Sequence, residues 1–538
     1  MPADPKLVVA HCDELFKEQV NWRHTWQDVS DYFYPVKANI ETLETPGEVR
    51  AQERYDYTGE EMLLKAAAGI VGWVTPIGTR WIVLEPKNKK APQEIKDWFR
   101  ICSEILLEAL ASSNFYMSWH EDVIDGLMFG TSCLFIEGGD EKDLNFVSWP
   151  ISTWAFTMDS EERPDYICRK WDWTARQAVS EWGEENVGEE VLKAYKAGSP
   201  DCEKKFTFYH AIYKRKEGEY KEGPTTGDNR PWASVYVSNI DKHLIEEDGY
   251  YELPAPIGRI LKSNSEKYGR SPSIGTLPVA KMLSRMEYDT LLAIEKMVNP
   301  PWIAPDDSDY DPDNRPNGVT YYKAGSKEPK QQEYKNRIDL AEATKAFYRG
   351  VIERAFFVDM FQMLTQIGAN NRQFPTATQI HGMLEERVGL FTPIFSRLTQ
   401  EKLNPTIERV FSILFRKGAF PRPPANIAEW GGEYEISYNS RIALAIKSLQ
   451  NNQLFQAMEF IRGMTEIDPA ARYAIKATTA TRGALTNMSL PQDWIRDENE
   501  IEEMVEAEEQ AARMAQTMEI AKTGAEAASK LPQEVIEV

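Results

Sequence analysis

The stretch YGRSPSIGTLPVAKMLSRMEYDTLLAIEKMVNPP, residues 268–301, decides how the rest of the chain is read. Ser271 followed by Pro272 marks a helix start, because serine caps a helix N-terminus and proline fits its first turn. Apolar side chains then recur at helical spacing until Asn-Pro-Pro, where proline cannot continue the helix. The pattern predicts a helix over 272–298, about 40 Å long at ~1.5 Å per residue.

A phosphate-binding loop is the rival interpretation of the same stretch. Such a loop needs Gly-x-x-x-x-Gly-Lys-Ser/Thr, so that backbone amides and one lysine reach the phosphates. Gly269 and Gly275 are one residue too far apart, and Thr276 stands where the lysine is required. Lys281 lies more than a helical turn further on. The glycines and prolines are therefore predicted to turn the chain into the helix.

Hydrophobic periodicity divides the remaining chain into a strand-rich region and helices. Residues 131–262 show apolar side chains at every second position, interrupted by a helical segment at 174–198. A period of two indicates strands, so a mainly antiparallel, meander-like sheet is predicted there. Thr58 and Glu61 have the spacing of a capping box. Helices are predicted over 5–34, 58–76, 91–114, 116–130, 340–365 and 377–418, the last kinked at Pro393 and Pro405.

Chain length and net charge limit the classes of protein to which this chain can belong. With 538 residues the chain is too long for one core, which predicts two to four domains or subdomains. Its formal net charge is −22 at pH 7. A protein that coats DNA needs a basic face to neutralise phosphates, so that class is excluded. The net charge does not exclude a protein past which DNA moves without being bound tightly.

Cysteine usage and hydropathy point to an intracellular protein without a membrane span. The five cysteines are scattered and form no Cys-x-x-Cys pair, which predicts reduced core thiols rather than a disulfide framework. The charged N-terminal residues predict no signal peptide. Because no apolar run reaches 18 residues, no membrane-spanning helix is predicted.

Motifs for catalysis, metal binding or cofactor binding are not found, so no residue is assigned to any of them. Asp309, Asp311 and Asp313 alternate as in a calcium loop, but Asn314 and Thr320 stand where glycine and a bidentate glutamate are needed. A solvated turn and weak cation binding both stay open there. The histidines lack metal-ligand spacing, and no nucleophile elbow or histidine-flanked cysteine occurs.

Four segments, in order along the chain, resemble sequence blocks of podovirus head-to-tail connectors, the portal proteins. The segments are DYTGEEMLLKAAAGIVGWVTPIGTRWIVLEP (56–86), GLMFGTSCLFIEGG (126–139), YGRSPSIGTLPVAKMLSRMEYDTLLAIEKMVNPPWIAPDD (268–307) and TATQIHGMLEERVGLFTPIFSRLTQEKLNPTIERVFSILFRKGAFPRPP (376–424). One block alone is weak support, whereas four in register make the resemblance specific.

The resemblance implies an α+β portal-protein fold in a ring-forming subunit, with a wing, a two-helix stem, a small α/β clip and a helical crown. The parts fall on these residues: wing 1–270, first stem helix 271–298, clip 299–338, second stem helix 339–365, channel loop 366–376, spine helix and C-terminal wing 377–460, crown or acidic tail 461–538. The periodicity fits this layout independently, because two long helices flank an irregular segment.

The resemblance also implies a function and partners. Portal proteins form a ring of twelve subunits at one capsid vertex, through which double-stranded DNA passes during packaging and ejection. The implied partners are further copies of the chain, the terminase motor, major capsid and scaffolding proteins, and tail or adaptor proteins. The implied location is the virion, and the host cytoplasm during assembly.

Charge suggests how DNA would pass through such a ring. Each neutralised phosphate adds to affinity, so a channel in which DNA slides needs an acidic wall with sparse cations. The candidates for DNA contact are Asn370, Asn371, Arg372, Gln373, Lys281, Arg285, Lys345 and Arg349. For each cation an ordinary ion pair is the alternative. The candidates for partner contact in the clip are Trp302, Tyr310, Tyr321 and Tyr322.

Two other classes remain as rivals. One is a cytosolic α+β hydrolase whose carboxylate site the motifs do not reveal, and the other is a monomeric scaffold or adaptor. The mass of the particle in solution separates a ring from both.

Overall fold

A computed structural model gives the fold of the chain. It describes residues 4–42, 54–88, 90–138, 144–216, 227–263, 266–303, 337–361, 389–430 and 432–439, with short pieces and single residues elsewhere. The chain divides into two compact units: Met1–His381 with Gly389–Tyr438, and Gly382–Val388 with Asn439–Val538. In the second unit, the described residues 457–464 are helical. All elements named below belong to the first unit.

The N-terminal region folds into helices, with a break that the sequence pattern did not show. The predicted helix over 5–34 is two helices, α1 (Pro5–Glu18) and α2 (Val20–Phe33). Gln19 stands between them and is buried. Its side-chain Nε2 donates to the carbonyl oxygen of Trp154 at 2.7 Å and to the hydroxyl of Tyr268 at 2.6 Å. A buried amide N–H needs hydrogen-bond acceptors, so these two bonds hold Gln19 at the break between α1 and α2.

Helix α3 (Thr58–Val74) follows, and its predicted capping box is wrong. Thr58 lies inside the helix rather than at the cap position, which Tyr57 occupies without a side-chain bond. Asp56 takes over the role, because its carboxylate accepts from the Thr58 N–H at 2.9 Å and from the Thr58 hydroxyl at 3.2 Å. Strand β1 (Ile82–Pro86) comes next, and helices α4 (Gln93–Ser112) and α5 (Phe115–Phe129) follow as predicted.

The strand-rich region forms two antiparallel sheets. Its strands are β2 (Thr131–Glu137), β3 (Asn145–Trp149), β4 (Trp154–Met158), β5 (Pro164–Thr174), β6 (Lys205–Lys214), β7 (Trp232–Ser238), β8 (His243–Tyr250) and β9 (Ile257–Arg259). Strands β4 to β8 pair in sequence order, which confirms the predicted meander. Strands β3, β2 and β9 form the second sheet. Helices α6 (Ala175–Trp182) and α7 (Glu189–Ala197) are the predicted helical insert.

The long helix of the opening stretch is confirmed with the predicted bounds. Helix α8 runs Pro272–Val298, and the Ser271 hydroxyl accepts from the Ile274 N–H at 3.0 Å as its cap. The two-residue strands β10 (Trp302–Ile303) and β11 (Lys330–Gln331) pair after it. Helix α9 (Ile338–Ala355) then packs against α8.

Two features at the end of this region differ from the expectation. The helix predicted over 339–365 ends at Ala355, because Phe357 adopts a left-handed φ of 56°, and α10 (Val358–Phe361) follows as a short separate helix. Residues 389–398 are helical, and a π-helical turn, Thr399–Leu403, separates them from α11 (Asn404–Arg416). Strand β12 (Tyr434–Tyr438) pairs with β1.

The prediction of five reduced thiols is wrong for one pair. Cys12 of α1 and Cys168 of β5 form a disulfide across 156 residues of sequence, whereas Cys102, Cys133 and Cys202 are free. The scattered spacing could not show this pair, because only the packing of α1 on the sheet brings the two residues together. Among the described residues, no helix is both long and apolar enough to cross a bilayer.

Candidate functional site

Helix α8 is anchored where two chain segments cross. Gly130, at the end of α5, has a φ of 81°, and an added Cβ there would lie 2.2 Å from the carbonyl oxygen of Gly269. The Gly269 N–H donates to the Thr131 hydroxyl at 2.7 Å. The Ser271 hydroxyl donates to the Met128 carbonyl at 2.7 Å, so the cap residue also ties the helix to α5. At Gly269, in the segment weighed above as a phosphate-binding loop, the neighbouring space is therefore occupied by the backbone of Gly130.

A cluster of charges joins α8 to α9 further along. Glu287 of α8 accepts from the Lys345 ammonium at 3.0 Å and also from Arg349, both on α9. Arg349 also reaches Asp56, two residues before α3, at 3.4 Å. The Lys345 side chain is 2% exposed and has a second carboxylate partner in Glu342, one turn earlier on its own helix. The cluster therefore connects three segments that are remote in sequence.

The electrostatics of this cluster favour the charged forms. Burial alone would lower the pKa of Lys345, but hydrogen bonds to Glu342 and Glu287 outweigh it and the pKa is raised. The bond from Lys345 lowers the pKa of Glu342. Lys345 and Glu342 are therefore both ionised at neutral pH, and Lys345 meets Glu287 of α8 as a cation.

The other two cations predicted on the first stem helix lie nearer the surface. The Lys281 ammonium is 2.8 Å from the Asp28 carboxylate on α2 and lies 5.5 Å from the centre of the Tyr32 ring. Arg285 pairs with Asp289 one turn along at 3.3 Å, and its side chain is 71% exposed. Of the four stem cations, Arg285 is thus the most accessible to a ligand.

The remaining candidates are only partly covered by the described residues. Trp302 is half-buried in strand β10 and pairs with Gln331 of β11, and Tyr321 is 83% exposed. The channel-loop candidates Asn370, Asn371, Arg372 and Gln373 lie outside the described residues, as do Tyr310, Tyr322 and the three aspartates of the calcium-like stretch. Among the residues that the structure describes, no group of three or more His, Cys, Asp or Glu could hold a metal ion.

Sequence reasoning missed a second set of buried charges, around the π-helical turn. The Lys402 ammonium is fully buried and lies 2.8 Å from the Asp122 carboxylate of α5 and 3.2 Å from the Ser132 hydroxyl of β2. The preceding residue, Glu401, accepts from the Arg259 guanidinium of β9 at 2.8 and 3.0 Å. Consecutive residues of the turn thus bind different elements. No sequence signal marks these pairs, since each partner is more than 140 residues away.

The described geometry defines an α+β protein organised around a clamped helix pair that is anchored in an antiparallel sheet region. A family model for bacteriophage head to tail connecting proteins matches residues 8–495. Because that match spans most of the chain, the chain belongs to this family.

Two curated phage proteins are similar to it over most of their length. The portal protein of Salmonella phage epsilon15 is 27% identical over 536 residues, which cover 96% of this chain and 93% of the relative. The probable portal protein of Bordetella phage BPP-1 is 24% identical over 475 residues, covering 86% and 84% respectively.

Family membership confirms the resemblance noted in the sequence and the expectation of a structural role. Connecting a phage head to its tail is not an enzymatic function, so the alternative of a cytosolic hydrolase is wrong. The chain is a portal-type component of the virion at the capsid vertex, with capsid and tail as its general partners.

Proposed function

We propose that twelve copies of this chain form the portal ring and that double-stranded DNA passes through the ring during packaging and ejection. In this proposal the terminase motor docks on the ring first, and tail or adaptor proteins dock after packaging. Major capsid and scaffolding proteins surround the ring as it assembles in the host cytoplasm.

The helix pair is the observation that carries the proposal. Helix α8 has 27 residues, about 40 Å at ~1.5 Å per residue, which is enough for a channel wall around a DNA duplex. The Glu287 cluster fastens it to α9, and the paired strands β10 and β11 lie between the two helices in sequence. This order supports α8 and α9 as the stem and residues 299–338 as the clip.

The other parts of the portal architecture are assigned on the same basis. The sheets and helices of residues 1–270, with residues 377–460, are the wing, and residues 461–538 are the crown or tail. Residues 366–376, which lie outside the described residues, are assigned as the channel loop. The support for the wing is its antiparallel meander, together with the three-stranded sheet. Helix α8 is anchored beside that second sheet, where Gly269 crosses Gly130 between α5 and β2.

Charge supports sliding of DNA rather than binding. The net charge of −22 opposes phosphate binding, and three of the four stem cations (Lys281, Lys345 and Arg349) are occupied by carboxylates of other segments. A cation that is already neutralised adds little to phosphate affinity, so the energy wells along the channel stay shallow. We propose Arg285 and the loop residues Asn370, Asn371, Arg372 and Gln373 as the contacts that remain, with Lys281, Lys345 and Arg349 as weaker ones.

The mass of the particle tests the ring. Twelve chains of 61.6 kDa each give about 740 kDa for a closed heterologous ring. Light scattering on the purified full-length chain should return this mass, and negative-stain images should show an axial hole. A monomer of the single-chain mass would overturn the proposal.

Charge reversal tests the DNA contacts in assembled particles. Arg372→Glu and Arg285→Glu should each reduce packaged DNA or its retention, with ring assembly unchanged. Lys87→Glu is the matched control, because Lys87 is an exposed cation of the first unit, paired with Glu433 near β12 and remote in sequence from the stem. Normal packaging and retention in the Arg372 variant would exclude that residue as a needed contact.

A further inference from the structure

Helix α1 lies on the five-stranded sheet through one apolar stripe. Val8, Cys12 and Leu15 recur at helical spacing, are all buried, and belong to the core cluster that includes strands β4 to β7. The helix contacts β4, β6 and β7. Cys12 therefore faces the sheet from the centre of the stripe.

The sheet offers a cysteine at the matching position. Cys168 lies on β5, between Ala155 of β4 and Ala211 of β6 in the strand register. All three residues are fully buried. Because both neighbours of Cys168 are alanines, the surface there is shallow enough for α1 to approach, and its sulfur meets that of Cys12.

Other contacts also hold α1 in place, and they do not depend on the disulfide. The Tyr209 hydroxyl of β6 donates to the Asp13 carboxylate, and Lys267 pairs with Glu18 at the end of the helix. The ring of His11 packs edge-on against that of Tyr166, with centroids 4.6 Å apart. These contacts position α1 with its two cysteines reduced, so the disulfide adds a covalent link to a helix that is already docked.

We propose that Cys12 and Cys168 form a redox-controlled link that fastens α1 to the sheet. In a reducing medium the pair is a dithiol, and in an oxidising medium it is a disulfide. Reducing cell interiors keep thiols reduced, whereas released particles meet oxidising surroundings. The link is therefore open while the subunit assembles and closed in the free virion. This timing rests on the proposed location, whereas the chemistry of the pair does not.

The redox step balances with a low-molecular-weight disulfide such as oxidised glutathione. When a local opening lifts α1 from the sheet and exposes the cysteines, one cysteine thiolate attacks that disulfide to give a mixed disulfide and one free thiol. The second cysteine then displaces the other small thiol. The two cysteines lose two protons and two electrons in all, and the small disulfide becomes two thiols.

Thiol counting on the full-length protein tests the pair. Protein purified in excess reductant and denatured after its removal should react with an alkylating reagent at all five cysteines. After equilibration with oxidised glutathione, Cys12 and Cys168 should no longer react, whereas the buried Cys102 and Cys133 should still react. A tryptic digest of the oxidised sample should contain peptide 7–17 joined to peptide 143–169, and reduction should separate them.

Single variants and proteolysis test the fastening. After oxidation, Cys12→Ser and Cys168→Ser should yield no linked peptide pair, because a single cysteine of the pair stops at the mixed disulfide with glutathione, whereas Cys102→Ser should yield the linked pair as the parent does. Trypsin should cut the exposed Lys17 of α1 about tenfold more slowly in the oxidised than in the reduced protein, and this difference should vanish in both single variants of the pair. Five reactive thiols after oxidation, or equal cleavage in the two states, would overturn the proposal. The ring mass and this redox difference are independent readouts, so either proposal can fail alone.

Discussion

The backbones of Gly130 and Gly269 cross so closely that neither residue has room for a Cβ atom. A Cβ on Gly130 would lie 2.2 Å from the Gly269 carbonyl oxygen, and a Cβ on Gly269 would lie 2.3 Å from the Gly130 carbonyl oxygen. The crossing joins the end of α5 to the segment that starts α8. Any force on the long helix is therefore transmitted to the sheet region through a rigid backbone contact.

Alanine at either glycine should destabilise the protein. We expect Gly130→Ala to lower the free energy of unfolding by about 3 kcal/mol or more, because it adds both backbone strain at φ 81° and overlap with another backbone. Gly269→Ala suffers the overlap as well, so a loss of about 2 kcal/mol or more is expected. Denaturant titration followed by tryptophan fluorescence, at fixed protein concentration, measures both.

Gly275 is the matched control for the crossing. It lies inside α8 and is exposed, and a Cβ added there would meet no atom of the described residues within 4 Å. Gly275→Ala should therefore stabilise the protein by about 0.5–1 kcal/mol, the helix-propensity difference. A loss at Gly275 as large as that at Gly130 would contradict the close-crossing explanation.

Removal of the Glu287 charge should loosen the helix pair. In Glu287→Gln the buried Lys345 ammonium keeps only one carboxylate partner, Glu342, and Arg349 keeps only the carboxylate of Asp56. Breaking a buried ion pair costs about 3 kcal/mol, because one charge stays buried without its partner. Asp289→Asn removes the exposed pair with Arg285 on the same helix and should cost less than about 1 kcal/mol. Equal unfolding midpoints for the two variants would argue against the cluster as the clamp.

The bounds of an element could be predicted from the sequence where capping or proline residues mark both of its ends. Helix α8 starts at Ser271-Pro272 and stops before Pro300 and Pro301, so both bounds could be predicted. The C-terminal end of α9 could not be predicted. The chain turns there at Phe357, which has a left-handed φ although it is neither glycine nor asparagine. Packing against the rest of the unit overrides the local preference there.

The candidate site shows the same limit for side chains. The sequence suggested Lys345 and Arg349 as cations on a helix, but it could not show that Glu287, 58 and 62 residues away, binds both. Cys12 and Cys168 were missed for the same reason, since their contact depends on how α1 packs on the sheet. Pairs that are remote in sequence become visible only in the assembled fold.

The buried pair of Lys402 and Asp122 should cost more to break than the exposed pair of Lys87 and Glu433. Asp122→Asn leaves the fully buried ammonium with neutral partners and no carboxylate, so a loss of about 3–5 kcal/mol is expected. Glu433→Gln is the control, because it breaks an ion pair with Lys87 whose side chains are about 70% exposed, and its loss should stay below about 1 kcal/mol. Thermal unfolding of both variants at pH 7 measures the difference, and equal losses would contradict it.

His210 should make the protein sensitive to acid. Its ring is buried and stacks on the ring of Tyr236, with the two centroids 4.0 Å apart. Its Nε2 lies 2.9 Å from the Ser234 hydroxyl oxygen. Burial lowers the pKa of His210 to about 3. Below pH ~6.5 the unfolded chain binds a proton at this residue and the folded chain does not, so stability falls by about 1.4 kcal/mol per pH unit until pH approaches 3. His210→Phe removes this contribution. Its unfolding free energy relative to the parent should rise by about 3 kcal/mol between pH 6.5 and 4, whereas Ser234→Ala, which keeps the imidazole, should follow the slope of the parent. Parallel pH curves for His210→Phe and the parent would show that the histidine does not titrate in this way.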